Sequence, residues 1–451
     1  MLVTTLYFLL ALFILVIVHE YGHFQVARWC GVKVLRFSFG FGPVLARFKD
    51  KRGCEYAWSL FPLGGYVKML GETEIPAELD AKTRSMAFSQ KSLPVRIAIV
   101  LAGPLFNFLF AFVALWLVLV IGMHSLAPMI QTIKPNSLAS QAGFVPNQEI
   151  IAINDTPVTS WQSFQYLMMP YIGSSQRVNF TLKSLEDGQI KHIALPLKNW
   201  NLNDKKPDLL QSLGIEPFIP KIPPIVGEVL PDSPAAKTSL QKGDVLLKVN
   251  GQPIKDWLFL VDYLKTRPDT PLTLEIQRGN SRESVNLVTG HQKNQGETQG
   301  YLGVKSQKLN WPNNWLRLEK KGPFEALGTA LNQTLHLTGT TIRLMGRLVT
   351  GQLGLKTISG PLGIAQGAGD SGRNGLVSYL FFLALVSVSL GVLNLLPIPL
   401  LDGGHLLYYV LEFIKGKPLS DSVKSLGVYI GLLLLATLMV IALGNDISRL
   451  M

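Results

Sequence analysis

Residues 2–23 read LVTTLYFLLALFILVIVHEYGH, an uncharged apolar run that closes on a His-Glu-Tyr-Gly-His motif. At about 1.5 Å of rise per residue, a helix over this run reaches most of the way across a bilayer core of about 30 Å. On that helix His19 and His23 stand one turn apart on the same face, so both imidazoles can ligate one Zn2+. Glu20 is then placed to act on a water at the metal. Ionisable groups at membrane depth are costly and usually functional, and a metal is the simplest partner for two histidines and a glutamate beside hydrocarbon. HExxH also occurs by chance on soluble helices, and the membrane context weighs against that reading. The run has no basic leading segment and no small-residue cleavage site, so it is expected to be retained rather than removed as a signal peptide.

Composition fits a membrane protein with substantial soluble mass: 451 residues, 48% hydrophobic, and positive mean hydropathy. Four apolar stretches have about the length of a spanning helix, at 2–18, 97–121, 376–401 and 426–443. The net charge of +12 raises the question of a nucleic-acid partner, but the placement of the charge excludes that reading. From Arg28 to Arg96 there are twelve Lys or Arg against six Asp or Glu, so half of the excess lies between the first two spans. By the positive-inside tendency that segment is cytoplasmic, and Lys415, Lys417 and Lys424 in a short loop after the third span agree. Both termini and residues 122–375 are then expected outside, in the periplasm of a Gram-negative cell. Cys30 and Cys54 are the only cysteines and lie on the cytoplasmic side, so the external part does not depend on disulfides.

A hydrolytic zinc needs a third protein ligand and an open position. Residues 394–404, NLLPIPLLDGG, interrupt the third span with Pro397 and Pro399 and deliver one carboxylate, Asp402. Backbone freed by prolines and glycines is tolerated at membrane depth only beside protein or water, which marks a cavity. Entering from outside, the first span brings His19 about 26 Å in, and the third brings Asp402 to its own inner end. Asp402 reads either as a third ligand or as an interfacial helix cap. His405 reads as a neighbour of the site, since another protein ligand closes the position that water needs.

Within the external segment, Pro135-Asn136-Ser137-Leu138-Ala139 recurs 96 residues later as Pro231-Asp232-Ser233-Pro234-Ala235, and Ile153-Asn154-Asp155-Thr156-Pro157-Val158 recurs as Val249-Asn250-Gly251-Gln252-Pro253-Ile254. A constant offset marks two copies of one domain. The order of elements resembles bacterial PDZ domains in a circularly permuted arrangement. That resemblance places peptide-binding loops at Leu213-Gly214-Ile215 and Leu302-Gly303-Val304, where peptide C-termini could bind; the alternative is a rigid spacer or filter. Asn147-Gln148 stands where the second copy has Gly243-Asp244, which leaves the first turn less certain. His124, His192 and His291 read as solvated. Pro323 to Thr350 reads as an amphipathic helix at the membrane surface, and Gly351 to Gly375 as a glycine-rich connector.

HEYGH on the first span and NLLPIPLLDG on a later one resemble the site-2 proteases, a family of intramembrane zinc metalloproteases. The resemblance implies that His19, His23 and Asp402 hold one Zn2+, that Glu20 is the general base, and that Asn394 donates a hydrogen bond to substrate or oxyanion. Ala102-Gly103-Pro104 with Asn107 resembles a further family motif, or is simple helix packing. In the family a β-structure re-enters the membrane beside the metal. Here it implies substrate contacts by Gly40, Phe41 and Gly42, by Gly65, Tyr66, Val67, Lys68 and Met69, and by Pro397 and Pro399 in the broken third span. Implied substrates are single-spanning membrane proteins, notably an anti-sigma factor already trimmed outside, and remnant signal peptides. The expected fold is a polytopic α-helical membrane protein with four spans, a membrane-associated β segment and two tandem periplasmic PDZ-like α+β domains. The expected division is 1–121, 122–220, 221–310, 311–375 and 376–451. Two rivals are a catalytically inactive membrane-tethered PDZ scaffold and a zinc peptidase acting on soluble peptides at the cytoplasmic face.

Overall fold

The computed structural model describes residues 2–72, 79–198, 200, 202, 208–218, 222–294, 297–307, 315–417 and 419–450. The chain divides into two compact units, one of Met1–Pro128, Ile133–Glu216 and Arg317–Met451, the other of Met129–Thr132 and Pro217–Leu316. The expected domain limits at 220/221 and 310/311 lie outside the described residues.

In the first unit, helix α1 (Leu2–Trp29) leads into strands β1 (Val34–Lys49) and β2 (Glu55–Met69), then into α2 (Leu93–Ile121), which carries a proline in its first turn. Strand β2 folds back on itself. Its first half pairs with β1 from Phe39↔Trp58 to Arg36↔Glu55, and its second half pairs with the other side of the same stretch, from Phe39↔Gly65 to Val34↔Met69. Residues 65–69 therefore form an outer strand. Aromatic side chains seat this sheet against α1, with Phe13 edge-on to Phe39 at 4.5 Å and Phe24 to Phe37 at 5.3 Å.

The two sequence repeats fold alike, each by itself. In the first, β3 (Gln148–Ile153), β4 (Thr156–Pro157), α3 (Trp161–Met168), β5 (Arg177–Ser184) and β6 (Ile190–Pro196) follow one another, with β3 paired to both β4 and β5, and β5 to β6. In the second, β7 (Val245–Val249), β8 (Gln252–Pro253), α4 (Trp257–Lys265), β9 (Pro271–Arg278) and β10 (Ser281–Val288) take the same order, with strands lying 8-7-9-10. Ser160 caps α3 and Asp256 caps α4, each followed by a buried tryptophan. Asn147 solves the turn that looked uncertain. It takes the left-handed backbone, φ +59° against +97° at Gly243, and the side chains of Gln148 and Asp244 accept from the N–H of Val145 and Gln241 at equivalent positions. Asparagine is among the few residues that adopt this backbone at small cost.

Back in the first unit, α5 (Pro323–Val349) buries Ala326, Ala330, Thr334, Leu337 and Thr340 and leaves Leu327, Leu331, Leu335 and Ile342 exposed. Its packing stripe is thus the small residues rather than the leucines. The expected glycine-rich connector is instead mostly helix, α6 (Pro361–Arg373). Its glycines are a packing face: a Cβ at Gly369 would lie 2.7 Å from Thr4, and one at Gly372 2.5 Å from the Tyr7 ring. Its N-terminus is capped by the buried Asp446 carboxylate, which accepts from the N–H of Gly360, Leu362 and Gly363.

The third span, α7 (Leu376–Asn394), ends seven residues earlier than the apolar run suggests. Residues 395–401 turn back without regular structure, because Pro397 and Pro399 cannot continue the helical hydrogen bonds. What was expected to be a short loop carrying Lys415 is a second helix, α8 (Asp402–Lys415). Gly403 and Gly404 allow it to start there, since a Cβ at either would lie within 2.5 Å of the carbonyl oxygens of Leu396 and Ile398. Helix α9 (Asp421–Leu450) completes the chain. Among the described residues four helices are long and apolar enough to cross a membrane, namely α1, α2, α7 and residues 422–448 of α9.

Replacing Asp446 by Ala leaves three N–H groups at the start of α6 without their acceptor. A loss of about 1–3 kcal/mol is expected, read as a thermal midpoint several degrees lower in detergent. A midpoint equal to wild type would show that the cap contributes nothing.

Candidate metal centre

Helices α1 and α2 approach closely where the motif lies. A Cβ on Gly22 would sit 2.4 Å from the carbonyl oxygen of Ala102, and one on Gly103 would sit 2.3 Å from His23 Nε2 and 2.8 Å from His19 Cε1. Both positions require glycine, and the result is a narrow crossing with both imidazoles in it. Asp402, the first residue of α8, enters from the far side of the proline loop.

The three side chains converge. His19 Nε2 lies 3.3 Å from His23 Nε2 and 3.2 Å from one Asp402 oxygen, and His23 Nε2 lies 3.5 Å from that oxygen. A tetrahedral zinc with bonds of about 2.0–2.1 Å requires its ligand atoms roughly 3.3 Å apart. These three form the one cluster of metal-ligating groups found among the described residues. Tautomer chemistry agrees. His23 Nδ1 is 2.8 Å from the Ile99 carbonyl, to which it can only donate, so Nε2 presents a bare lone pair. Asp402 Oδ2 is buried without a conventional hydrogen-bond donor. Two bare nitrogens and a carboxylate oxygen facing one another call for a cation.

His19 needs the same arrangement, with its proton on Nδ1 and an acceptor beside it. The amide of Asn107, fully buried on α2, lies 3.1 Å from that nitrogen, and the Asn394 amide, at the end of α7, lies 3.5 Å away. Amide oxygen and nitrogen have nearly the same shape, and Asn107 Oδ1 is otherwise without a partner. Turning the Asn107 amide supplies the acceptor and leaves the Asn394 NH2 free to donate into the cavity. Ser387 on α7 fixes the level of Asn107 by donating to its backbone carbonyl at 2.8 Å.

Around the centre is a cavity of about 730 Å³, lined by His19, Glu20, His23, Asn394 and Asp402, with Tyr66, Val67 and Met69 from the outer strand and His405 on α8. Arg96 and Glu412 also line it, and both terminal guanidinium nitrogens of Arg96 donate to the Glu412 carboxylate, at 3.2 and 2.6 Å, with the guanidinium over the Tyr409 ring. This pair ties α8, and hence Asp402, to the start of α2. Leu400, also in the lining, holds φ +90°, a conformation that a leucine adopts only under constraint.

The sequence-derived substrate residues divide. Gly65 lies against α1, where a Cβ would be 3.1 Å from Glu20, and Tyr66, Val67 and Met69 reach the cavity, whereas Lys68 points outward. Gly40, Phe41 and Gly42 do not line it: they lie in the middle of β1, where Phe41 pairs with Phe61 and its ring lies against Gly64 and stacks on Tyr66. Pro397 is exposed, and Pro399 packs on Gly427 and Gly431 of α9. Ile99, Arg96, Glu412, Gly22 and Leu400 escaped sequence reading. Only Gly22 had a visible signal, as the small residue inside HEYGH.

The chain belongs to peptidase family M50, whose model matches residues 7–438. It is a zinc metallopeptidase. The curated relatives span its whole length: the "Regulator of sigma E protease" of Salmonella typhi is 42% identical over 98% of both chains, and the "Regulator of sigma-E protease RseP" of Escherichia coli (strain K12) is 41% identical over the same share. A "Putative zinc metalloprotease" of Vibrio cholerae is 38% identical, again over 98% of each.

Purified protein is expected to hold one zinc per chain. Elemental analysis should show it lost in His23→Ala and Asp402→Ala and kept in Glu20→Gln; full occupancy in Asp402→Ala would remove that carboxylate from the centre. Asn107→Leu should weaken zinc binding about 10-fold or more in competition with a chelator, because His19 loses its orienting acceptor. Unchanged affinity would assign Asn107 to helix packing alone.

Proposed function

We propose that this peptidase cuts single-spanning membrane proteins within the bilayer, including an anti-sigma factor already shortened on its external side and remnant signal peptides. The observation that carries the reading is the placement of the metal-ligand triad and Glu20 among four membrane-length helices, beside an outer strand whose second edge has no partner strand among the described residues. In the reaction Glu20 accepts the proton of the attacking water and returns it to the leaving amine, and Asn394 donates to the developing oxyanion. When bound, the zinc supplies Lewis acidity toward the water and the scissile carbonyl.

Residues 65–69 supply the means of holding the substrate. Leu70 donates to Lys33 across the sheet, whereas Met69 donates to the Glu72 side chain instead. By strand alternation Gly65 and Val67 then turn their N–H and C=O groups away from β1. A helical peptide bond is shielded by its own hydrogen bonds, so a substrate span must unwind, and strand addition at this edge replaces the bonds it gives up. The basic segment between α1 and α2 supports a cytoplasmic location for the site, with both termini and the two repeats in the periplasm.

The repeats, with a shared element order like that of permuted PDZ domains, serve in this reading as a size filter for substrates. Among the described residues of the repeats, His192 meets Thr181 and His291 meets Asp269 on exposed surface, which leaves both as solvated side chains.

Cleavage of a reconstituted transmembrane substrate should proceed with wild type and fall at least about 1000-fold with Glu20→Gln. Equal cleavage by the two would support an accidental contaminant and a non-catalytic scaffold. Equal cleavage of the same sequence as a soluble peptide would favour the peripheral peptidase. Fusing a folded domain to the external side of the substrate should slow wild type about 10-fold or more, and replacing residues 222–307 by a short linker should narrow that ratio. An unchanged ratio would reject the filter.

A further inference from the structure

A second cavity in the first unit, of about 1120 Å³, shares no lining residue with the metal centre. Its wall includes five cations, Arg317, Lys320, Lys321, Arg343 and Arg347, and one carboxylate, Glu319. Arg317 is paired with Glu149 and Lys321 with Glu325. Arg347 donates through Nη1 to the carbonyls of Pro170 and Ile172, neutral acceptors that leave its charge uncompensated. Among the described residues, Lys320 and Arg343 have no carboxylate partner. His336, its ring tilted at 34° against Tyr166 with centroids 4.5 Å apart, lines the same wall with Nδ1 buried and unpartnered.

The position of the cavity is as telling as its charge. Leu119, in the last turn of the membrane-length helix α2, lines it, so it opens at the depth where an apolar span gives way to headgroups. Helix α5 sorts into three stripes. Ala326, Ala330, Thr334 and Leu337 pack inward; Asn332, His336, Arg343 and Arg347 face the cavity; Leu327, Leu331, Leu335 and Ile342 lie exposed beside that face. At 100° per residue the cationic and leucine stripes adjoin along the helix. Such a surface matches one molecule with an anionic head and apolar tails.

We propose that this cavity holds the phosphate-bearing headgroup of an acidic phospholipid, with its acyl chains along Leu327, Leu331 and Leu335. Lys320 and Arg343 are the cations left to neutralise the phosphate, and Arg347 and His336 line the wall behind them. A lipid there joins the first repeat, through Tyr166 and Asn154, to α5, and ties their relation to the composition of the leaflet.

The test is binding of labelled phosphatidylglycerol and labelled phosphatidylcholine to the full-length protein in neutral detergent. Wild type should prefer phosphatidylglycerol about 5-fold or more, and Lys320→Gln with Arg343→Gln should bring the ratio to within about 2-fold. Lys237→Gln with Lys242→Gln, in the other unit, should keep the preference, as should Lys320→Arg alone. Zinc content and thermal midpoint report whether each variant is folded, and Lys320→Gln by itself, at an exposed position, should lower the ratio measurably. Equal binding of the two lipids by wild type, or an undiminished preference in the folded variants, overturns the proposal. Displacement of the labelled lipid by millimolar inorganic phosphate also overturns it, by showing a site for free anions.

Discussion

The crossing of α1 and α2 at Gly22 and Gly103 is the constraint on which the rest depends. Two imidazoles can share one metal at membrane depth only if the neighbouring helix comes close enough to exclude lipid and offer hydrogen-bond acceptors. At this crossing no side chain larger than hydrogen fits on either backbone. The close approach brings the Ile99 carbonyl to His23 and the Asn107 amide to His19. Orientation of the ligands is thus a consequence of helix packing, and the packing is a consequence of two missing side chains.

The same economy governs the other half of the site. Asp402 is not delivered by the third span itself but by a reversal after it, in which Pro397 and Pro399 end the helix and Gly403 and Gly404 let the next one begin against the returning backbone. The Arg96–Glu412 pair then fixes α8 from its opposite end. A partly buried ion pair adds little net stability but strongly disfavours arrangements that separate it. Here that property holds a carboxylate in register with two histidines across three helices. The strained backbone at Leu400, inside the loop, is consistent with a segment whose shape is dictated by the site.

Much of this was legible in the sequence. Helical spacing of His19 and His23, the proline-broken run before Asp402, four apolar stretches and the 96-residue offset each have a local signature. What escaped were contacts without one. The acceptor for His23 is a backbone carbonyl, which carries no residue identity. Arg96 and Glu412 are 316 positions apart and look like ordinary surface charge. The glycines of 360–372 resemble a linker because the same absence of side chains that loosens a chain in water tightens it against a neighbouring helix. Gly40, Phe41 and Gly42 and the stretch Gly65 to Met69 look alike in the sequence, as two glycine-bearing strands of a clamp. The fold-back of β2 separates them: Gly65 comes against Glu20 and Tyr66, Val67 and Met69 reach the cavity, whereas Gly40, Phe41 and Gly42 do not line it. An apolar run likewise cannot report where its helix ends, so the third span was read through to 401 although the helix stops at Asn394.

The mechanism turns on a zinc held by two imidazole nitrogens and one carboxylate oxygen, with one position left for water. Zinc X-ray absorption on the purified protein measures that shell directly. Four nitrogen or oxygen neighbours at about 2.0–2.1 Å with scattering from two imidazole rings are expected, with loss of one ring in His23→Ala. A sulfur neighbour at about 2.3 Å, a single imidazole, or a shell unchanged by that substitution would contradict it.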